Sequence, residues 1–189
     1  PLILHIPNIE HLAKYAEKVD EDALKLAMRF WPGPLTLVLP KKSIVPDLTT
    51  AGNDSVALRC PNHPLTLDLL RVLDFPLAAP SANPSGYISP TTAEHVQSNL
   101  GDLVDYILDG GPCKVGVESS IVSFLSHPPQ ILRLGSISKE DMSESIVDIK
   151  SDIIASNGKL IAPGMMSSHY APRKPLIFGE IKSISSVSY

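Results

Sequence analysis

The sequence predicts an α/β protein in which one sheet contains both parallel and antiparallel strands. Three observations support this fold class. Helical and strand-like segments alternate along the 189 residues, the strand-like segments are short and apolar, and two of them late in the chain flank the turn sequence Ser-His-Pro-Pro. With 43% hydrophobic and 19% charged residues, the chain can form one complete domain with some residues left over.

Two helices are predicted near the beginning of the chain. Residues 9–18 have apolar side chains with the spacing i, i+3, i+4 and i+7, and they follow Asn8, a suitable N-cap. A second helix follows Asp20 and ends at the Pro-Gly-Pro sequence of residues 32–34. Its apolar face is predicted to consist of Leu24, Ala27, Met28 and Trp31.

The rest of the domain is predicted as strands separated by two further helices. Short apolar runs bounded by proline, glycine or polar residues indicate strands at 35–39, 55–59, 75–79, 104–108, 119–125 and 130–134. The last two strands form a hairpin. One helix has its buried face at Leu65, Leu69 and Leu73, and the other spans residues 91–100, capped by one of its two opening threonines.

The composition argues against several classes of function. The net charge of −4 leaves no global basic field, which a nucleic-acid binder that neutralises phosphates would normally have. Cys60 and Cys113 do not belong to a CxxC pair, and they are interpreted as small buried side chains in a reducing compartment. No signal peptide is visible, and no apolar run approaches the roughly 18 residues of a membrane span, so we expect a cytoplasmic protein.

Common catalytic signatures are absent as well. The chain has no GxxxxGK[ST] or GxGxxG phosphate loop, no HxxxH or HxH pair for zinc, and no GxSxG nucleophile motif. What remains is a set of polar residues at the ends of predicted strands, where ligands of open α/β sheets gather. These residues are Arg59, Ser81, Asn83, Glu118, Ser119, Ser120 and Arg133.

The strand-end residues have two interpretations. An arginine offers a planar fork for a carboxylate or phosphate, and hydroxyls with free backbone N–H groups can hold anionic oxygens. Alternatively, the arginines form surface ion pairs, Ser81 and Asn83 close a turn, and Ser119 is an ordinary strand serine. The proline-rich segment 79–90 is likewise either a stiff connector or a wall of hydrogen-bonding groups for a small polar ligand. The residues alone predict an α/β domain that binds a small anion, with both interpretations open.

Several motifs resemble those of a known family. "SVALRCP", "APSANPSGYISPTTAEHV", "ILDGGPCKVGVESSIVSF" and "ILRLGSI" have the order and spacing of the YrdC-like threonylcarbamoyl-AMP synthases, and "APGMMSSHYAPRKPL" resembles the linker of the two-domain members. The resemblance implies a twisted mixed sheet flanked by helices, with a concave ligand cavity. It divides the chain into a catalytic domain at 1–161, whose N-terminal part is missing, a linker at 162–173 and the start of a C-terminal domain at 174–189.

The resemblance also implies an activity. Members of this family make L-threonylcarbamoyl-AMP from L-threonine, bicarbonate and ATP and release pyrophosphate, and Mg²⁺ accompanies the ATP. The product serves the threonylcarbamoyl-transferase machinery that acts on tRNA. Positioning and charge neutralisation carry such a reaction, so the resemblance implies neither a catalytic side chain nor a metal ligand from the protein.

By the same resemblance, individual residues receive roles. L-Threonine is expected to contact His5, Arg59, Ala79 and Ser119. ATP is expected to contact Ser55, Ser81, Ser89, Arg133, His169 and Tyr170. The last two, which lie in the linker, are expected to close over the nucleotide as a lid that excludes water.

The chain departs from the family pattern at its beginning. It opens with Pro-Leu-Ile-Leu-His, within a strand-like run and without methionine, and it lacks the PTET-type and K-x-R segments that precede this run in the family. We therefore expect an incomplete catalytic domain with weak activity. Two rival functions stay open. A carbamoyl-transfer domain of hydrogenase-maturation proteins is disfavoured by the HYAP linker, and an RNA-binding module is disfavoured by the acidic charge, although a local patch could still give weak RNA binding.

Overall fold

The computed structural model describes residues 1–151 and 161–164, and its centre is a six-stranded sheet. The strands are β1 (Ile3–His5), β2 (Leu35–Pro40), β3 (Ser55–Arg59), β4 (Leu77–Ala79), β5 (Ser120–Ser123) and β6 (Gln130–Arg133). The helices are α1 (Leu12–Tyr15), α2 (Glu21–Phe30), α3 (Asp47–Thr50), α4 (Pro64–Val72), α5 (Ala93–Leu100) and α6 (Lys139–Ser143). Short 3-10 turns occur at Ile9–His11 and Gly101–Leu103.

The strand order is β4-β1-β3-β2-β5-β6. β1 pairs in parallel with β3, and β2 pairs in parallel with β5, whereas the β1–β4, β2–β3 and β5–β6 pairs are antiparallel. The predicted mixed sheet is therefore confirmed. The predicted hairpin is confirmed as well, with a register irregularity between Ile121 and Val122.

The two faces of the sheet carry different layers. Consecutive strand residues point to opposite faces, and neighbours such as Leu4 and Ile3, or Leu58 and Ala57, accordingly belong to different apolar clusters. The larger cluster includes side chains of α1, α2 and α4, so the helices cover that face. The smaller cluster leaves the other face partly open at one end, and the candidate site lies there.

The first predicted helix is mostly absent. Residues 9–18 contain a 3-10 turn and then only α1, and the side chain of Asn8 makes no capping hydrogen bond. The helix ends because Ala16 adopts an extended conformation and forms a β-bridge with Lys41. A tertiary backbone contact has therefore overruled the local helical spacing.

Two other helices are confirmed. The predicted buried face of α2 is right for Ala27 and Trp31, whereas the predicted buried face of α4 is wrong. In α2, which Asp20 caps, Leu26 is fully buried whereas Met28 is 68% exposed. In α4, Leu67 and Leu70 are buried, whereas Leu65 is exposed. Apolar spacing defines a stripe on a helix, but where leucine or methionine lies on both sides, only the direction of the sheet decides which stripe is buried.

The predicted strand at 104–108 is wrong. This segment belongs to no strand of the described sheet, and Tyr106 is 93% exposed. An apolar run becomes a strand only when another strand lies beside it to pair its backbone. In the segment that follows, the backbone N–H of Gly111 donates to the Asp109 carboxylate at 2.8 Å. Helix α5 is also confirmed, and of its two candidate caps Thr92 makes the hydrogen bond.

The two cysteines differ in environment. Cys60 is buried, as predicted, but Cys113 is exposed, and both are free thiols. The prediction that Cys113 is a small core side chain is therefore wrong. Within residues 1–151 and 161–164, no helix has the length and apolar character needed to cross a membrane.

Candidate functional site

A pocket of about 140 Å³ lies on the open face of the sheet, where β1, β3 and β4 come close to the beginning of β5 and the end of β6. His5 and Arg59 are register partners on β1 and β3, and Ile3 and Ala79 are partners on β1 and β4. The pairing of the strands therefore brings together residues that are far apart in sequence. The lining residues are Ile3, His5, Arg59, Ala79, Pro80, Ser81, Glu118, Ser119, Arg133 and Pro163.

Two arginines give the pocket its electrostatic character. Arg59 donates from Nε to the carbonyl oxygen of Gly33 at 3.1 Å, and no carboxylate among the described residues forms an ion pair with it. Burial, and then the nearby charge of Arg133, lower the pKa of the Arg59 guanidinium. Guanidinium groups stay protonated in proteins, so two positive charges share this wall. Such an arrangement is suited to an anionic ligand.

Arg133 is tied to the beginning of β5. Its Nε donates to the backbone oxygen of Ser119 at 2.9 Å, and its Nη2 donates to the hydroxyl of the same residue at 3.0 Å. Its Nη1 donates to the carbonyl oxygen of Pro163 at 3.3 Å, which brings segment 161–164 to the pocket. These bonds fix the direction of the guanidinium, so its charge faces the pocket before any ligand arrives.

His5 is a neutral hydrogen-bonding group in this pocket. Its Nδ1 lies 3.3 Å from the carbonyl oxygen of Leu77, and because a carbonyl can only accept, Nδ1 must carry the hydrogen. Burial, and then the charge of Arg59, lower the pKa of the imidazole from 6.5 to about 4. The ring is therefore neutral near pH 7, and its Nε2 is an acceptor.

This depressed pKa predicts how the stability of the protein depends on pH. Between pH 6.5 and about pH 4 the unfolded chain binds a proton at His5 that the folded protein does not bind. The free energy of unfolding therefore falls as the pH falls. The slope contributed by one group approaches about 1.4 kcal/mol per pH unit. Urea unfolding between pH 7 and 4 should show a shallower decline in His5→Gln than in the wild type. An equally steep decline in both proteins would contradict the burial of a neutral His5, and exposed His127→Gln serves as the control.

The proline-rich loop 79–90 forms one wall of the pocket. The Asn83 side chain donates to the backbone oxygens of Pro84 and Tyr87 at 2.9 and 3.0 Å, so it closes the loop and stands outside the lining. Ser89 donates to the Glu118 carboxylate at 2.6 Å and thereby attaches the far end of the loop to the segment before β5. The turn-forming interpretation suits Asn83, whereas both ends of the loop, residues 79–82 and 89–90, line cavities.

A second cavity of about 280 Å³ lies beside the first. Ser81 lines both cavities, so the two are neighbours across the loop. Hydroxyl groups of the loop and of the approach to α5 face apolar side chains at 107–108. Ser89 belongs to this second lining.

The structure brings together most of the residues assigned by resemblance. All four residues predicted to contact L-threonine line the 140 Å³ pocket, as do Ser81 and Arg133 of the predicted ATP contacts. Ser55 is buried at the beginning of β3 and lines neither cavity. His169 and Tyr170 lie outside the described residues, as do most of the predicted linker and all of 174–189. The individual ligand roles stay predictions.

Sequence reasoning missed several residues that shape the pocket. Gly33 positions Arg59, and a Cβ there would lie 2.1 Å from the backbone oxygen of Phe30. At Gly135 a Cβ would lie 2.1 Å from the backbone oxygen of Glu118, so only glycine allows the chain after β6 to pack against the segment before β5. Glycines beside predicted strands were the available signal. Thr36 also shapes the pocket, and no sequence pattern indicated that role.

The chain is similar in sequence to a set of characterised proteins. Residues 1–135 match the Sua5/YciO/YrdC family model, described as "Telomere recombination". The chain is 44% identical over 184 residues to the threonylcarbamoyl-AMP synthase of Pyrococcus abyssi, and 46% identical over 183 residues to that of Bacillus subtilis. Both alignments cover 95% of this chain but 54% and 53% of the relatives. The chain thus spans about half the length of the curated relatives it matches.

Solved structures show the same fold. The chain superposes on P. abyssi Sua5 complexed with L-threonine with a TM-score of 0.86 and 43% identity, over 91% of this chain and 52% of that one. It also superposes on Escherichia coli YciO with a TM-score of 0.65 and 23% identity, over 71% of this chain and 66% of that one. The second likeness concerns the fold alone, and both confirm the α/β class predicted from the sequence.

Proposed function

Since the chain belongs to the Sua5/YciO/YrdC family, we propose that it takes part in the synthesis of L-threonylcarbamoyl-AMP from L-threonine, bicarbonate and ATP, with release of pyrophosphate. The observation that carries the proposal is the pocket in which Arg59 and Arg133 stand beside the buried Ser119 hydroxyl. The L-threonine complex of the P. abyssi relative supports the same amino acid as the ligand here.

The arginines divide the charges of the substrates between them. Arg59 would bind the L-threonine carboxylate through its planar fork, because its Nη atoms remain available while Nε holds Gly33. Arg133 lies on the side of Ser119 and would face the phosphates of ATP. With the carboxylate at Arg59 and the phosphates at Arg133, the amino group of L-threonine would come close to the α-phosphate, which is the proximity that the reaction needs.

The reaction does not require a nucleophile from the protein. The amine of L-threonine would attack bicarbonate with loss of water, or carbon dioxide with loss of an amine proton, to form a carbamate. An oxygen of the carbamate then attacks the α-phosphorus as pyrophosphate leaves. His5 Nε2, an acceptor near pH 7, would orient an N–H of that amine. Cys60 is unsuited to nucleophilic attack because burial raises the pKa of its thiol to about 11, and its sulfur donates to the backbone oxygen of Pro7 at 3.4 Å.

Magnesium would enter this site with ATP. The described residues contain no group of three metal-ligating side chains, and Glu118 is the only carboxylate in the lining of the 140 Å³ pocket. That donor set fits an ion whose ligands are mostly phosphate oxygens and water. When bound, magnesium would neutralise phosphate charge, while Arg59 and Arg133 align the reacting groups.

The product would be consumed by the threonylcarbamoyl-transferase machinery that modifies tRNA. A mixed anhydride of a carbamate and AMP is prone to hydrolysis, so it must be passed on or shielded from water. A gel shift with tRNA at rising salt would measure how much RNA binding the chain itself contributes, since phosphate contacts give a steep salt dependence.

The proposal is tested by binding and turnover together. Calorimetry should detect binding of L-threonine to the protein, and pyrophosphate release should require both L-threonine and bicarbonate. D-Threonine is the matched control, since it carries the same charges with the opposite handedness. Failure to bind L-threonine, or release of pyrophosphate that is independent of it, would rule out the proposed function.

Ser81 supplies a further test, of the nucleotide site. Replacing it with alanine should weaken ATP binding about tenfold, because one hydroxyl contact to a phosphate or ribose is worth roughly 1–1.5 kcal/mol. Ser85→Ala, which changes an exposed serine of the same loop, is the matched control for Ser81→Ala. If Ser81→Ala lowers the melting temperature but keeps the ATP affinity, the residue only shapes the loop.

A further inference from the structure

We propose that Thr36 is a positioning residue for the ligand pocket. By donating its hydroxyl hydrogen to Ser119, Thr36 leaves the hydrogen of the Ser119 hydroxyl directed at the ligand. The inference rests on the proposed function for the identity of that ligand, but the hydrogen-bond argument depends only on the described side chains. Thr36 lies in the middle of the sheet and is not part of the pocket lining.

The contact between the two hydroxyls is short and buried. Thr36 Oγ1 lies 2.8 Å from Ser119 Oγ. Thr36 is 0% exposed, so no ligand can touch it, whereas Ser119 lies on the pocket wall. Thr36 can therefore influence a ligand only through Ser119.

The hydrogen-bond capacity of Ser119 allows two directions for its hydrogen bond with Thr36. A hydroxyl has one hydrogen to donate and two lone pairs to accept. One lone pair is taken by Nη2 of Arg133 at 3.0 Å, since a guanidinium can only donate. Towards Thr36, Ser119 then either accepts, which leaves its own hydrogen for the pocket, or donates, which uses that hydrogen inside the protein.

The surroundings of Thr36 favour the first arrangement. Ser119 is the only side-chain hydrogen-bond partner of Thr36 within the described residues. If Ser119 donated, the hydrogen of Thr36 would be buried without an acceptor, which is unfavourable. If Thr36 donates, its hydrogen is satisfied and Ser119 keeps a hydrogen at the solvent side of the wall. The Thr36 hydroxyl thus determines that the Ser119 hydroxyl is a donor towards the pocket.

The neighbouring serine shows the contrast. Ser120 Oγ donates to the backbone oxygen of Ile137 at 2.8 Å and accepts from the backbone N–H groups of Gly135 and Ile137 at 2.9 and 3.3 Å. Its capacity is exhausted by the backbone, so it has nothing to offer a ligand. Ser119 alone of this pair retains a donor, in a pocket that Arg59 and Arg133 also line, where an oxyanion would accept it.

The experiment compares Thr36→Val with Thr36→Ser by calorimetry. Valine keeps the shape of threonine but cannot donate, so the Ser119 hydroxyl is no longer oriented. We expect Thr36→Val to weaken L-threonine binding about tenfold, and Thr36→Ser to bind within about twofold of the wild type. Thr36→Ala, which also lacks the hydroxyl, replaces the valine variant should that protein fail to fold. Equal affinity of Thr36→Val and the wild type, or a loss in Thr36→Ser as large as in Thr36→Val, would overturn the proposal.

A double-mutant cycle separates positioning from packing. If Thr36 acts through Ser119, Thr36→Val should cost nothing further in a protein that already carries Ser119→Ala. A full additional loss in the double variant would show that Thr36 acts by another route, and the inference would fall.

Inorganic phosphate serves as a second probe, because Ser119 would donate to any oxyanion held between the two arginines. Should the wild type fail to bind L-threonine, the proposed function fails. Weaker phosphate binding by Thr36→Val than by the wild type and Thr36→Ser would still support the role of Thr36. Equal phosphate affinity in all three proteins would overturn that role alone.

Discussion

Replacing Arg59 with methionine is expected to weaken L-threonine binding at least a hundredfold while the protein stays folded. Hydrogen bonds to a charged group are worth about 1.5–3 kcal/mol, and the carboxylate would also lose its nearest compensating charge. Folding should not suffer, because Arg59 is a largely buried cation whose charge is disfavoured by burial and by Arg133. Methionine fills a similar length and removes that repulsion. Calorimetry with L-threonine and a thermal unfolding curve measure the two effects separately.

Two further variants make this result specific. Arg59→Lys keeps the charge but loses the planar fork, so an intermediate loss of roughly tenfold is expected. Arg71→Met removes an exposed arginine that pairs with Asp68 at 2.9 Å, and it should leave binding unchanged. Wild-type affinity in Arg59→Met would remove Arg59 from the site, whereas a loss of folding would contradict the expectation that this arginine is not needed for stability.

Among substitutions that add one methyl group to the site, Gly135→Ala is expected to reduce stability and L-threonine binding most. The added Cβ would lie 2.1 Å from the backbone oxygen of Glu118 and 2.7 Å from the backbone nitrogen of Ser120, on both sides of Ser119. Backbone atoms cannot rotate away as a side chain can, so the segment before β5 must shift. Overpacking of this kind typically costs about 1–3 kcal/mol of stability and occasionally more. The shift would also displace the Ser119 hydroxyl, so we expect L-threonine binding to fall about tenfold or more.

Gly116→Ala is the matched control for this change. A Cβ at Gly116 meets nothing within 4 Å, and its backbone does not adopt the left-handed conformation that favours glycine. Urea unfolding midpoints should therefore drop for Gly135→Ala and remain close to the wild-type value for Gly116→Ala. Equal midpoints and equal L-threonine affinities in both variants would contradict the prediction. They would show that the chain after β6 can move away from the segment before β5 without loss of stability or binding.

Much of the site could be predicted from the sequence because its polar side chains lie at the ends of strands that the sequence pattern predicts. Arg59 and Arg133 each end a strand, and Ser119 directly precedes one. Motif resemblance then supplied which strand ends meet, and the four predicted L-threonine contacts do line one pocket. Ser55 is the exception within the described residues: it is on the same strand as Arg59 but does not line either cavity.

By itself, the sequence determined the alternation of helices and strands, the mixed sheet and the identity of the polar residues at its open end. These features depend on spacing and residue type over a few positions, which the sequence contains directly. Only the tertiary structure decided which stripe of α2 and α4 is buried, that residues 9–18 bend at Ala16, and that 104–108 has no strand beside it in the described sheet. It also decided that Thr36 meets Ser119 across 83 positions of sequence. Burial, strand pairing and a hydrogen bond between distant hydroxyls each need a partner that comes close only when the chain folds.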